Sequence, residues 1–191
     1  MKAEFITSAA NASGLLKTNL PEIVFVGRSN VGKSSLINYI TNNSKLAKTS
    51  SMPGRTRLIN YFKIDDKFML VDLPGYGFAQ AGKSDKAQWQ ALIETYLTNS
   101  KNIKRVFMLV DIRHKPTVQD EQMLNYLYFY QIPVTVIATK ADYIKSYQKA
   151  AKINEIAQTL KLGLDNILPV SVMDNKYRQI LINTIEDILS L

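Results

Sequence analysis

Apolar residues along this chain come in short blocks whose spacing switches repeatedly between two periods. Ile23-Val24-Phe25-Val26 is an unbroken apolar run of strand type, and Leu36, Ile37 and Ile40 follow at helical spacing. Residues 58–64 and 67–71 read as two strands joined at Asp65-Asp66 by a tight hairpin turn. Trp89, Leu92, Ile93, Tyr96 and Leu97 form the next helical stripe, followed by a buried-type strand over 105–110. Thr117 with Asp120 resembles a capping box ahead of a helix carrying Met123, Leu124, Leu127 and Tyr128. A strand over 133–138, a helix on Ile153, Ile156, Ala157 and Leu160, a short strand over 167–170 and a last helix capped by Asp174 complete the chain. Strands alternating with helices predict an α/β fold with a mostly parallel six-stranded sheet in three layers, and ligand loops at the strand carboxyl ends. Residues 1–20 show no clean periodicity and read as an N-terminal extension, although Phe5 and Ile6 are able to pair with the body; residues 21–191 form the single domain.

Composition narrows the chemistry. The 191 residues include no cysteine and one histidine, His114, which excludes disulfides, thiolate metal sites and a multi-histidine metal centre. No stretch approaches a membrane span, and the N-terminus lacks a signal-like apolar core, so the expected location is cytoplasmic. Twenty-four Lys and Arg against sixteen Asp and Glu give a net charge of +8, which favours an anionic partner, RNA ahead of a membrane surface. The plainer reading is that these side chains solvate the surface.

The strand at 23–26 runs into Gly27-Arg28-Ser29-Asn30-Val31-Gly32-Lys33-Ser34, a G-x-x-x-x-G-K-S phosphate-binding loop in its required strand-loop-helix context. Gly27 and Gly32 let successive N–H groups turn toward phosphate, Lys33 reaches the β and γ phosphates, and the Ser34 hydroxyl suits Mg²⁺. Further signatures follow in order. The polar loop after the first helix carries Pro53 and Gly54-Arg55-Thr56-Arg57-Leu58, where Thr56 is placed to ligate Mg²⁺ and sense the γ-phosphate. Asp72-Leu73-Pro74-Gly75 offers a carboxylate to Mg²⁺ through water and the Gly75 N–H to the γ-phosphate. Thr139-Lys140-Ala141-Asp142 is the guanine selector: Asp142 accepts hydrogen bonds from N1–H and the exocyclic amine, and the Lys140 stem covers the base. Val170 closes the last strand and Ser171-Val172-Met173 follow it, where backbone N–H groups are placed to meet guanine O6.

The phosphate loop continued through Ser35, together with Asp72-Leu73-Pro74-Gly75-Tyr76-Gly77-Phe78-Ala79, Asp111-Ile112-Arg113-His114 and Ala138-Thr139-Lys140-Ala141-Asp142, resembles the bacterial EngB-type ribosome-assembly GTPases of the TrmE-Era-like group. The resemblance implies a Ras-like G domain with strand order 2-3-1-4-5-6, Mg²⁺-dependent binding of GTP and GDP, and GTP hydrolysis with Lys33, Thr56 and Gly75 at the reacting phosphate. It also implies a partner in the large ribosomal subunit or its precursor, and a link to normal cell division and septation. The alternative is a recruiter of division machinery that does not act on the ribosome.

Two positions stay open between readings. Asn30 either helps hold an activating K⁺, as in related TrmE-like proteins, or braces the loop. The Arg113-His114-Lys115 cluster either meets RNA phosphate or orients a loop. Where Ras-like enzymes carry a water-holding glutamine this chain has Tyr76, with Gln80 further on, so slow intrinsic hydrolysis is expected from a monomer.

Overall fold

A computed structural model describes residues 1–48, 58–77 and 83–190, with backbone alone for residues 83–86 and 89. The strands are β1 Ala3–Ala9, β2 Glu22–Gly27, β3 Ile59–Ile64, β4 Phe68–Asp72, β5 Ile103–Asp111, β6 Val134–Thr139 and β7 Ile167–Pro169. The helices are α1 Lys33–Thr41, α2 Lys83–Asn99, α3 Val118–Phe129, α4 Ser146–Leu160 and α5 Lys176–Ser190. One sheet runs in the order β1-β3-β4-β2-β5-β6-β7, antiparallel at β1·β3 and β3·β4 and parallel elsewhere.

Six of these strands reproduce the predicted 2-3-1-4-5-6 order. The seventh corrects the reading of residues 1–20 as an extension: β1 lies along β3, pairing Ala3 with Ile64 and Ala9 with Ile59. Its register slips between Phe5 and Thr7, which breaks the period-two pattern, and of its residues only Ala9 is buried. An edge strand with so little buried apolar surface leaves a weak sequence signal. Phe5 compensates by packing edge-on against Phe62 at 5.9 Å.

The apolar run of β2 is buried on both faces. Ile23 and Phe25 join Leu36, Ile40, Leu181 and Ile185 beneath α1 and α5, while Val24 and Val26 join Leu92, Tyr96, Leu124 and Ile156 beneath α2, α3 and α4. Alternation of side chains across the strand divides the core in two, with the sheet as the middle layer. Parallel strands bring the ends of β2, β5 and β6 to one rim, and the motif residues collect there.

At the opposite rim Glu22 opens β2 with only 2% exposure and accepts hydrogen bonds from the Tyr96 hydroxyl and the Ser100 hydroxyl, each at 2.7 Å. Burial raises its pKa, partly offset by those two bonds. The folded state therefore holds its proton more tightly than the unfolded chain. The stabilisation this provides is complete below the unfolded value and is lost as pH rises through the folded one. Glu22→Gln is expected to flatten the stability profile over that window and to raise the neutral-pH melting temperature relative to wild type, which parallel thermal melts would measure.

Candidate nucleotide site

The phosphate loop takes its shape from its glycines. At Gly27 a Cβ would lie 2.9 Å from the Leu109 carbonyl and from Val31, so the loop leaves β2 too close to β5 for any side chain. Gly32 has φ +103°, in the left-handed region, and caps α1, accepting from the Leu36 N–H at 2.9 Å. Lys33 and Ser34 then occupy the first turn of α1, where unpaired N–H groups and the helix dipole favour an anion.

Lys33 is 8% exposed and forms an ion pair with Asp72 at the end of β4, itself 1% exposed. This brings the ammonium for phosphate and the carboxylate assigned to Mg²⁺ together at the start of α1, whose second residue is Ser34. Among the described residues no cluster of three His, Cys, Asp or Glu is placed to hold a metal. One carboxylate and one hydroxyl fit an ion that keeps several waters and takes its remaining ligands from a nucleotide, as Mg²⁺ does.

The base side is built from β6 and the segment after β7. The Thr139 hydroxyl donates to the Val31 carbonyl at 2.7 Å, tying the end of β6 to the phosphate loop. Lys140, with φ 62°, turns its ammonium back to the Asn30 carbonyl and to Asp111, both at 2.9 Å. The loop is thus braced at Asn30 by its backbone carbonyl. Ala141–Tyr143 form one 3-10 turn that places Asp142 against Ser171, whose hydroxyl donates to the Asp142 carboxylate at 2.8 Å. A cavity of about 180 Å³ lined by Gly32, Leu36, Lys140, Asp142, Val170 and Val172 lies between these groups, with the size and apolar walls for a purine.

Here the structure refines the reading of residues 170–172. The Met173 N–H is already donated to the Ser171 hydroxyl at 3.0 Å, so Ser171 serves chiefly to orient Asp142. Sequence reasoning missed Asp111 as well. Its carboxylate takes two bonds from the Arg113 guanidinium, at 2.9 and 2.7 Å, plus the Lys140 ammonium. Burial pushes its pKa up, but these cationic partners outweigh it and hold the group down at about 2.

The D-x-x-G segment docks on the phosphate loop. A Cβ on Gly75 would lie 3.0 Å from the Ser29 nitrogen; the Ser29 N–H donates to the Tyr76 carbonyl at 3.0 Å, and the Tyr76 N–H donates to the Gly27 carbonyl at 3.2 Å. Tyr76 is 7% exposed, and its hydroxyl donates to Asp120 at 2.8 Å. Burial and the neighbouring carboxylate raise the Tyr76 pKa well above the ordinary phenol range, which keeps it a donor. Asp120 also accepts the Thr117 N–H and hydroxyl, completing the predicted capping box of α3. Gly77, with φ +85°, passes between Arg28 and Gln119. The side chain at the usual glutamine position therefore points into the protein, away from the phosphates. Tyr76→Phe is expected to destabilise the fold by about 1.5 kcal/mol, the worth of a bond to a charged acceptor, while leaving guanine selectivity unchanged. Denaturant unfolding and nucleotide competition would measure the two.

Gly54, Arg55, Thr56, Arg57 and Gln80 lie outside the described residues. Leu58 enters β3 at 38% exposure. The structure brings Lys33, Ser34, Asp72, Gly75, Thr139, Lys140, Asp142 and Ser171 to one rim of the sheet.

A phosphate loop, a T-K-A-D segment and a D-x-x-G segment on a mostly parallel sheet define a Ras-like GTP-binding domain. A family model described as 50S ribosome-binding GTPase matches residues 22–140. The chain is 50% identical over 167 residues to the probable GTP-binding protein EngB of Desulforamulus reducens, covering 87% of this chain and 82% of that one. It is 49% identical over 172 residues to the same-named protein of Mesoplasma florum, covering 89% and 87%. A crystal structure of a probable GTP-binding protein EngB superposes with a TM-score of 0.72 at 26% identity, covering 88% of this chain and 98% of that one. The chain belongs to the EngB family of GTP-binding proteins, and it is a GTP-hydrolysing enzyme.

Proposed function

We propose that this GTPase acts as a Mg²⁺-dependent switch in assembly of the large ribosomal subunit, binding the subunit or its precursor in the GTP form and leaving on hydrolysis. The observation carrying the reading is the clamped D-x-x-G segment. Gly75–Gly77 lie between the phosphate loop and the start of α3, so a change at the γ-phosphate reaches Asp120 and the basic loop Arg113-His114-Lys115 directly before it. The net charge of +8 and the ribosomal description of the matching family model point the same way. Ser34, Asp72 and Thr56 hold Mg²⁺ in this reading. Contacts of Thr56 and Gly75 with the γ-phosphate of GTP would set the docking surface, and the protein acts in the cytoplasm.

Hydrolysis is slow without a partner, because Tyr76 is turned away and catalysis rests on positioning and charge neutralisation by Lys33, the metal and loop N–H groups. K⁺ bound near Asn30 is the proposed accelerator; equal turnover in potassium and sodium buffers would remove it. The test of the whole reading is co-sedimentation of the protein with small subunits, large subunits and precursor particles, loaded with GDP or a non-hydrolysable GTP analogue. Retention on the large particle only with the analogue is the expected result. Capture of division proteins by the GTP form, without any ribosomal retention, would replace it with the septation reading. The exposed aromatic group Tyr128, Phe129 and Tyr130 at the far end of α3 is the surface favouring that alternative.

A further inference from the structure

A second cavity, of about 250 Å³, opens beside the nucleotide site between the phosphate loop and the β5–α3 loop. Its charged lining consists of Arg28, Arg113, Lys115 and Lys140 against Asp111 and Asp120. Both carboxylates are already committed: Asp111 to Arg113 and Lys140, Asp120 to Tyr76 and Thr117. Four Lys and Arg against two Asp leave the lining net positive; Asp111 is shared by two cations and Asp120 takes its bonds from neutral donors, so the excess is spread over Arg28, Arg113, Lys115 and Lys140 rather than held by one pair. The Arg28 Nε is buried and has no hydrogen-bond partner among the described residues, an arrangement that costs free energy unless an acceptor arrives. Lys115 is exposed at the rim beside His114, while Pro116 is buried behind it and fixes the path of the loop.

We propose that this cavity is a subsite for a backbone phosphate of the RNA partner. The inference rests on the ribosomal reading above and adds a location and a chemistry to it. A phosphate oxygen supplies several acceptors to a planar guanidinium and an ammonium, and a concave, cationic wall suits a single oxyanion better than a flat protein surface. Because Asp120 lines the cavity while holding Tyr76, an occupant sits one hydrogen bond from the D-x-x-G segment. The subsite thereby reports on the nucleotide without touching it.

The test titrates the full chain, loaded with a non-hydrolysable GTP analogue, against large ribosomal subunits and separately against a labelled single-stranded oligouridylate, each across a salt series. Lys115→Gln removes a cation at the rim; Lys101→Gln removes an exposed one at the opposite end of the sheet. The expected result is several-fold weaker binding for Lys115→Gln, with the slope of log K against log salt reduced by about one, and no change of slope for Lys101→Gln. Identical slopes for wild type and Lys115→Gln on the large subunit overturn the subsite and leave the ribosomal reading standing. Weaker binding with an unchanged slope assigns the contact to a protein carboxylate and also overturns it. Lys115-dependent binding of the oligouridylate with no retention on any ribosomal particle keeps the subsite and removes the ribosomal reading. Binding to neither probe overturns both.

Discussion

Lys33→Ala is expected to reduce GTP turnover on the order of 10²–10³-fold, the usual consequence of removing one preorganised donor from a developing negative charge. A second effect follows from the ion pair with Asp72. Both side chains are nearly inaccessible, and deleting the ammonium leaves a carboxylate buried without its countercharge. Nucleotide-free protein should then lose about 3 kcal/mol of stability. Asp72→Ala has the mirror-image cost, whereas the double variant leaves no unpaired charge and should be less destabilised than the sum of the two. Chemical denaturation of the four proteins measures this coupling, and additive losses would show that the pair contributes nothing.

Asp142→Asn is expected to exchange one base for another. With Asp142 as the guanine selector, its carboxylate would accept from guanine N1–H and from the exocyclic amine. An amide replaces one acceptor with a donor, which opposes the amine but matches the carbonyl that xanthine carries at the same place. Loss of one of the two bonds to a charged acceptor, at about 1.5–3 kcal/mol, predicts GTP binding weaker by about 10–10²-fold, with xanthosine triphosphate gaining. Ser171→Ala removes only the hydroxyl that orients the carboxylate. It should weaken GTP by about 1 kcal/mol without admitting xanthine. Competition binding with GTP and xanthosine triphosphate distinguishes these outcomes, and unchanged selectivity in Asp142→Asn would move the selector elsewhere.

The parts of the site legible in the sequence are those whose residue types carry their own backbone constraint. Gly27 and Gly32 read as a phosphate loop because a close approach to β5 and a positive φ leave no other residue suitable. Thr117 and Asp120 announce a helix start because the reciprocal bonds are local. What escaped was chemistry joined across sequence distance. The Tyr76–Asp120 bond spans 44 residues, and Ser171 reaches back 29 to Asp142. The local patterns single out Asp120 and Asp142, but nothing in them says that the Tyr76 and Ser171 hydroxyls are their partners. β1 escaped for a different reason: with a bulge in its middle and only Ala9 buried, it leaves almost no period-two signature.

That strand also decides how the sheet ends. β1 covers what would otherwise be the free edge of β3, and the rim it presents instead is bulged between Phe5 and Thr7 and carries Glu4, with Lys2 directly before it. On the other side β7 is three residues long and finishes at Pro169, which has no N–H to offer. A neighbouring molecule meets no straight row of free peptide groups at either margin, which is the arrangement that guards β proteins against fibril growth and strand exchange. Both margins of the sheet thus discourage edge-to-edge pairing with another copy.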